Sequence, residues 1–386
     1  MPSLTTSLPF SPAELAYLHT SLSSIPPIRP DARPLPTDFR ALRAETGVLP
    51  SVNGSAHVGF SDGREAIVGV KLEVERTLAE EVRASVGARA KAKAKGETVN
   101  DGGAMDVDVD VDSANSPRRR GRHEWVTLSL TLPGLRDDDA GLVFLEEMLR
   151  EPLVTGRSTS SDPNLNLNPP LLHLQDSLVI NSRWHWHVYI DVLLISATGL
   201  ASYPLPLLSM ATHLALRDTR VPRLKSEGEE DPVADDDWMA STYLYARRVG
   251  GPMASRPPVT LLVVVVGENV IFDPSREELA VADAVVAVSV GDVSGRGGAD
   301  EFEVLATRMI DTPARDTMKG VPMFGEVGEG VEVPGVWKPR VGGIKRAILK
   351  KAINTALTGG VARDVMDGLD GFLNLETKTA GDAGAG

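Results

Sequence analysis

The stretch WHWHVYIDVLLI, residues 184–195, alternates with a period of two: Trp184, Trp186, Val188, Ile190, Val192 and Leu194 fall on one face. Successive side chains of a strand point to opposite sides, so this longest alternating face in the chain reads as a β-strand packed against something large. The other face presents His185, His187, Tyr189 and Asp191. Zinc wants three or four converging ligands, and a flat strand supplies at most two neighbours at that reach without help from a distant loop. This side is therefore read as a half-buried or interface face, and no metal is expected.

Working outward, the same period recurs. Ala56, Val58 and Phe60 face one way, Ser61-Asp62-Gly63-Arg64 turns, and Ala66, Val68, Val70, Leu72 and Val74 continue the face as a hairpin. Another strand follows at Val126, Leu128, Leu130 and Leu132. Asp139 caps a helix carrying Leu142, Leu145 and Leu149, which Pro152 is expected to stop. Ser11-Pro12-Ala13-Glu14 starts a short helix with a capping box, after which Pro26, Pro27, Pro30, Pro34 and Pro36 forbid regular structure. Downstream, Leu207, Ala211 and Leu214 mark a helix ending before Val221-Pro222, and 227–237 is an acidic surface loop. A second β-rich unit runs through Val259 to Val266, Val270 to Phe272 and Ala284 to Val290; residues 291–338 read as Gly-rich and irregular. A last helix from about Arg340 places Ile344, Ile348 and Ala352 four apart, and Gly359-Gly360 weakens or breaks it. Hairpin-linked strands with segregated helices predict an α+β fold with mixed or antiparallel sheets.

Composition narrows the chemistry. The 386 residues suffice for about two to three domains, and Cys is 0, so disulfides, thiolate nucleophiles and iron–sulfur clusters are excluded. A net charge of −13 argues against a globally basic nucleic-acid binder, so any phosphate affinity must come from local patches. No stretch reaches the ~18 apolar residues of a membrane span, and no signal peptide is read; no membrane partner is expected. Asp106, Asp108, Asp110 and Asp112 alternate like a calcium loop, but Val111 and Pro117 stand where Gly and Glu are needed. Neither a phosphate-binding G-x-x-x-x-G-K-[ST] loop nor a G-x-S-x-G elbow occurs, so no cofactor is expected. The run Arg118-Arg119-Arg120-Gly121-Arg122, inside a low-complexity segment at 85–122, is the candidate RNA-contacting patch; its bland reading is a solvated segment.

The block Phe39 to Pro50, FRALRAETGVLP, followed by Asn53-Gly54-Ser55-Ala56 and Gly69 to Val74, resembles the opening of the ribonuclease PH-like family. Upstream, Ile28-Arg29-Pro30-Asp31-Ala32-Arg33 resembles the family's Arg-x-Asp-Gly-Arg run, with Ala32 in place of glycine. Val188 to Ser196, Arg220-Val221-Pro222-Arg223 and Pro257 through Phe272-Asp273-Pro274 follow in the family's order, and the likeness is to the ring subunits of the eukaryotic RNA exosome. It implies a ribonuclease PH-like fold with a ribosomal protein S5 domain 2-like core in two lobes. The divisions expected are an N-terminal helix and arm over 1–35, a first domain over 36–222 with a disordered insertion at 85–122, and an acidic linker over 223–256. A second domain with a C-terminal helix then covers 257–375, and 376–386 is a disordered tail.

The resemblance also implies partners: other ribonuclease PH-like subunits in a hetero-hexameric ring, S1/KH cap subunits, associated hydrolytic nucleases and single-stranded RNA, in nucleus, nucleolus and cytoplasm. Active relatives hold phosphate with a Gly-Ser/Thr-Arg run where this chain reads Ala197-Thr198-Gly199-Leu200-Ala201-Ser202, without arginine. Where they carry an arginine-bearing helix start, this chain has Asp137-Asp138-Asp139. Phosphorolysis sets a phosphate dianion against a phosphodiester, which needs fixed positive charge. Asp283 falls where active members place a catalytic aspartate and is expected to be vestigial. The expectation is a non-catalytic scaffold subunit with no catalytic residue of its own. The alternatives are a phosphate-dependent 3′-to-5′ exoribonuclease using Asp283, and a protein-interaction module unrelated to RNA.

Overall fold

The computed structural model describes residues 10–77, 121–155, 174–195, 203–245, 256–292, 302–310 and 343–383. The strand quoted above forms as β5 (Trp184–Ile195), between β3 and the edge strand β4 in a five-stranded sheet ordered β1-β2-β3-β5-β4. Its partners are β1 (Leu42–Thr46), β2 (Gly54–Phe60), β3 (Glu65–Arg76) and β4 (Val126–Thr131). All pairs are antiparallel except β4 and β5, which run parallel. A parallel pair needs a crossover, and α2 (Ala140–Val154) supplies it, so the α+β expectation with a mixed sheet holds. Pro152 lies inside the last turn of α2 and does not stop it as expected.

The second sheet, ordered β11-β10-β8-β9, is wholly antiparallel, with β8 (Val259–Val266), β9 (Asn269–Phe272), β10 (Ala284–Asp292) and β11 (Phe302–Ile310). Strand β11 corrects the reading of 291–338 as irregular: Phe302 to Ile310 pairs along β10. Every residue of β8 and β10 is buried, so these strands show continuous apolar runs instead of alternation. A two-residue ladder of β6 (Arg220–Val221) and β7 (Thr242–Tyr243) closes the segment between the sheets.

Helix α4 (Leu205–Asp218) packs against β2 and β3 on one side and β8 on the other. Its residues from Leu205 to Leu216 are all buried, which explains an apolar helix with little amphipathic contrast. Its end approaches β2 so closely that a Cβ on Gly54 would lie 2.4 Å from the Thr219 Cα. The remaining helices are α1 (Pro12–Ser23), with the expected capping box, α3 (Leu174–Ser177), α5 (Arg276–Ala280), α6 (Arg346–Leu357) and α7 (Val361–Ala383). The Gly359-Gly360 break is real: Gly360 adopts φ +85° between α6 and α7. Helix α7 runs to Ala383, through most of the stretch 376–386 expected to be a disordered tail. Arg217 and Arg256 hold α7 through Asp370 and Asp367, at 2.9 and 2.8 Å.

Inside α4, His213 is fully buried and its Nδ1–H donates to the Pro257 carbonyl at 2.9 Å. Burial, reinforced by the Arg217 charge, lowers its pKa from 6.5 to about 3. The unfolded chain therefore binds a proton that the native chain refuses between those two values. This contribution to stability is complete above pH 6.5 and is lost as pH falls, at up to about 1.4 kcal/mol per pH unit. Urea midpoints measured from pH 7.5 to 5 should fall more steeply for the native sequence than for His213→Gln. Parallel curves would refute the assignment.

Candidate functional site

Three places carry the sequence-derived candidates. Asp283 sits in the turn between α5 and β10, 9 % exposed. The Gly267 N–H donates to its Oδ2 at 2.7 Å, its own N–H donates to the Val265 carbonyl at 2.8 Å, and the His19 Nε2 lies 4.0 Å from Oδ1. The carboxylate thus ties down the β8–β9 turn, where Gly267 takes φ +63°. Asp137, Asp138 and Asp139 form the turn before α2: Asp139 accepts from the Gly141 N–H at 2.8 Å as the helix cap, and Asp138 pairs with Arg136 at 3.3 Å. Residues 197–201 and Ser202 of the phosphate-loop position, and Arg118, Arg119 and Arg120, lie outside the described residues, as does most of the insertion at 85–122. Arg122 is described, 3.7 Å from Glu124, where the chain enters β4.

The second place is the Arg29–Arg33 motif. Arg29 is buried and grips the fully buried Glu278 through Nε and Nη2, at 2.7 and 2.9 Å. Its remaining N–H groups donate to the carbonyls of Leu35, Asp38, Phe272 and Asp273. Arg33 and Arg40 both bind the buried Asp273 carboxylate, Arg33 Nη1 at 3.1 Å and Arg40 Nε at 2.9 Å. Arg40 continues to Asp62 at 2.7 Å, and Asp62 binds Arg64. Burial opposes the Arg40 charge, but Asp273 and Asp62 outweigh it and raise its pKa; on the Asp62 carboxyl the Arg64 bond likewise overcomes burial and holds it below the ordinary value. Arg29, Arg33, Arg40 and Arg64 are thus engaged by carboxylates of the same chain. Ala32, where the family motif has glycine, stands at φ +62°.

The third place is the polar face of β5. The antiparallel register sets Glu75 of β3 opposite His185. Glu75 Oε2 lies 3.1 Å from His187 Nδ1 and 3.9 Å from His185 Nε2, and Oε1 accepts from the Tyr189 hydroxyl at 2.7 Å. The other ring nitrogens meet hydroxyls: Thr77 Oγ1 is 3.0 Å from His185 Nδ1, and Thr127 Oγ1 is 2.9 Å from His187 Nε2. Trp125 stacks on His185 at 4.2 Å and Tyr189 on His187 at 4.3 Å. The Tyr189 hydrogen bond lowers the Glu75 pKa against a burial effect that raises it, and raises that of Tyr189 to about 12. The structure unites His185, His187 and Tyr189 and leaves Asp191 exposed on the neighbouring part of the strand. Glu75, Thr77 and Thr127 were missed; only strand pairing between segments 60 to 112 residues apart brings them here.

No family model matches the chain. Among curated proteins it is 28 % identical over 284 residues to "Exosome complex component RRP42" of Saccharomyces cerevisiae, covering 72 % of this chain and 80 % of that protein. It is 24 % identical over 291 residues to "Exosome complex component rrp42" of Schizosaccharomyces pombe, covering 72 % and 77 %. A solved structure titled "Archaeal exosome core" aligns at TM-score 0.44 and 18 % identity over 77 % of this chain and 84 % of that one. The chain is thus similar to these RRP42 proteins over about three quarters of its length.

Glu278→Gln keeps the size of the side chain but removes the buried counter-charge of the Arg29 guanidinium, leaving it only the partly exposed Asp31 carboxylate at 3.8 Å. Breaking a buried pair from one side costs about 3–5 kcal/mol, whereas replacing both partners by apolar residues is far milder. Urea unfolding should show that loss for Glu278→Gln and a substantial recovery in Arg29→Met/Glu278→Leu; equal midpoints for native and Glu278→Gln would contradict the network.

Proposed function

We propose that this chain, similar to the RRP42 components, is a non-catalytic ribonuclease PH-like subunit of an RNA exosome ring. It completes the ring beside related subunits, supports cap subunits and passes single-stranded RNA to associated hydrolytic nucleases in 3′-to-5′ decay and ribosomal RNA processing. The observation that carries the reading is the 284-residue similarity to the yeast protein, which spans most of both chains. Work of this kind places the protein in nucleus, nucleolus and cytoplasm.

The absence of catalysis is supported by charge. An attacking phosphate needs cations fixed around it, yet the turn before α2 offers Asp137, Asp138 and Asp139, and the Arg29, Arg33, Arg40 and Arg64 guanidiniums serve internal carboxylates. Asp283 spends one oxygen on the Gly267 N–H. A proton donor without a phosphate cradle supplies only a small part of a rate enhancement. Ring membership is supported by the exposed apolar side chains of Leu193, Ile195 and Met309, each more than 40 % accessible on a sheet surface.

Co-expression with the other ring subunits should draw the chain into a single complex on native mass spectrometry; a stable monomer that ignores them would defeat the proposal. Incubated with labelled RNA and orthophosphate, that complex should release no nucleoside diphosphate through this subunit. Release abolished by Asp283→Asn would establish the phosphorolytic enzyme instead. RNA contact is assigned to Arg118, Arg119, Arg120 and Arg122. Reversing all four charges should flatten the salt dependence of RNA binding by the assembled ring, by up to about 3 in log K against log salt. An unchanged slope would dismiss that role.

A further inference from the structure

We propose that Glu75, His185 and His187 form a binding site for one zinc ion. The three side chains offer two imidazole nitrogens and one carboxylate oxygen, all within 4.8 Å of one another. Zinc bonds of ~2.0–2.1 Å in tetrahedral geometry set ligand atoms about 3.3 Å apart. The observed separations from Glu75 Oε2, 3.1 and 3.9 Å, bracket that spacing. Two imidazoles and a carboxylate suit zinc better than calcium or magnesium, which select oxygen donors.

Proximity alone would describe an ordinary ion pair; the outer contacts distinguish this cluster. Each ligand has its second polar atom fixed: His185 Nδ1 by Thr77, His187 Nε2 by Thr127, and Glu75 Oε1 by Tyr189. Metal-binding imidazoles and carboxylates are held in this way, because the outer partner sets both tautomer and ring orientation. The fourth position is taken by water on the side where Glu75 is 39 % exposed. Stacking against Trp125 and Tyr189 restrains the rings, so little ordering remains for the ion to impose.

The test uses the untagged full-length chain, stripped with chelator and titrated calorimetrically with zinc. One equivalent should bind, cobalt(II) in its place should give the visible bands of a four-coordinate site, and the melting temperature should rise with zinc. Glu75→Gln and His187→Gln should each weaken binding at least about tenfold. Thr127→Val, at an exposed position that leaves the fold intact, should weaken it by about 10–100-fold, as loss of an outer partner does. His57→Gln, which alters a histidine paired with Glu65 elsewhere on the sheet, should change nothing. Absence of saturable uptake, or uptake that Glu75→Gln and Thr127→Val leave unaltered, or that His57→Gln weakens as much, would overturn the site.

Discussion

The burial of two carboxylates, Asp273 and Glu278, both at 0 % exposure, is the constraint around which the rest of this architecture is arranged. An ionised carboxylate withdrawn from water is tolerated only when opposite charge and hydrogen bonds replace its hydration. Arg29, Arg33 and Arg40 supply that charge from a proline-rich arm with no ladder of its own. Binding to these groups at the end of β9 and the start of α5, and through Asp62 to the β2–β3 turn, fastens the arm across both sheets. Ala32 accepts a left-handed backbone, φ +62°, and Asp273 does so at φ +46°. Such conformations cost of order 1–3 kcal/mol and persist where surroundings over-determine them. Here the ion pairs on either side of the bend do so.

What was legible depended on whether one strand or several must be known. The period of two in β2, β3 and β5 is a property of each segment by itself, and the unbroken apolar runs of β8 and β10 report burial on both faces. Strand β11 was passed over because Glu303, Arg308 and the exposed Met309 dilute its alternation at the sheet edge, next to a Gly-rich stretch. Strand β1 shows only every second residue half-buried and reads as part of a motif block. Helix α2 carries Pro152 in its last turn at the cost of the one N–H bond to the Met148 carbonyl, and the Thr155 N–H still closes the turn onto the Glu151 carbonyl at 2.8 Å. The Arg29–Glu278 pair joins positions separated by 249 residues, and periodicity has no reach over such a span; family resemblance flagged the arginines without their partners.

The same distinction governs the sites. Asp283 was found by its place in a motif, yet its role follows from geometry: a carboxylate accepting from a turn N–H at 2.7 Å is a structural tie. Chemistry that handles phosphate would have to add cations to a chain whose central arginines are already matched, in a protein with a net charge of −13. In the exosome reading, the frame is therefore held by internal ion pairing that commits these arginines to the fold.

The imidazole cluster lies at the described ends that flank residues 78–120. Strand β3 ends at Arg76, and the next residue, Thr77, meets His185; the chain returns through Trp125, stacked on His185, and Thr127, bonded to His187. The described flanks of residues 78–120 thus both touch the same pair of histidines. Stacking and hydroxyl contacts already bring those ends together on β5. An ion shared by Glu75, His185 and His187 would cross-link β3 and β5 where Thr77 and Trp125 meet His185, adding a bond between side chains to the ladder that already pairs the two strands.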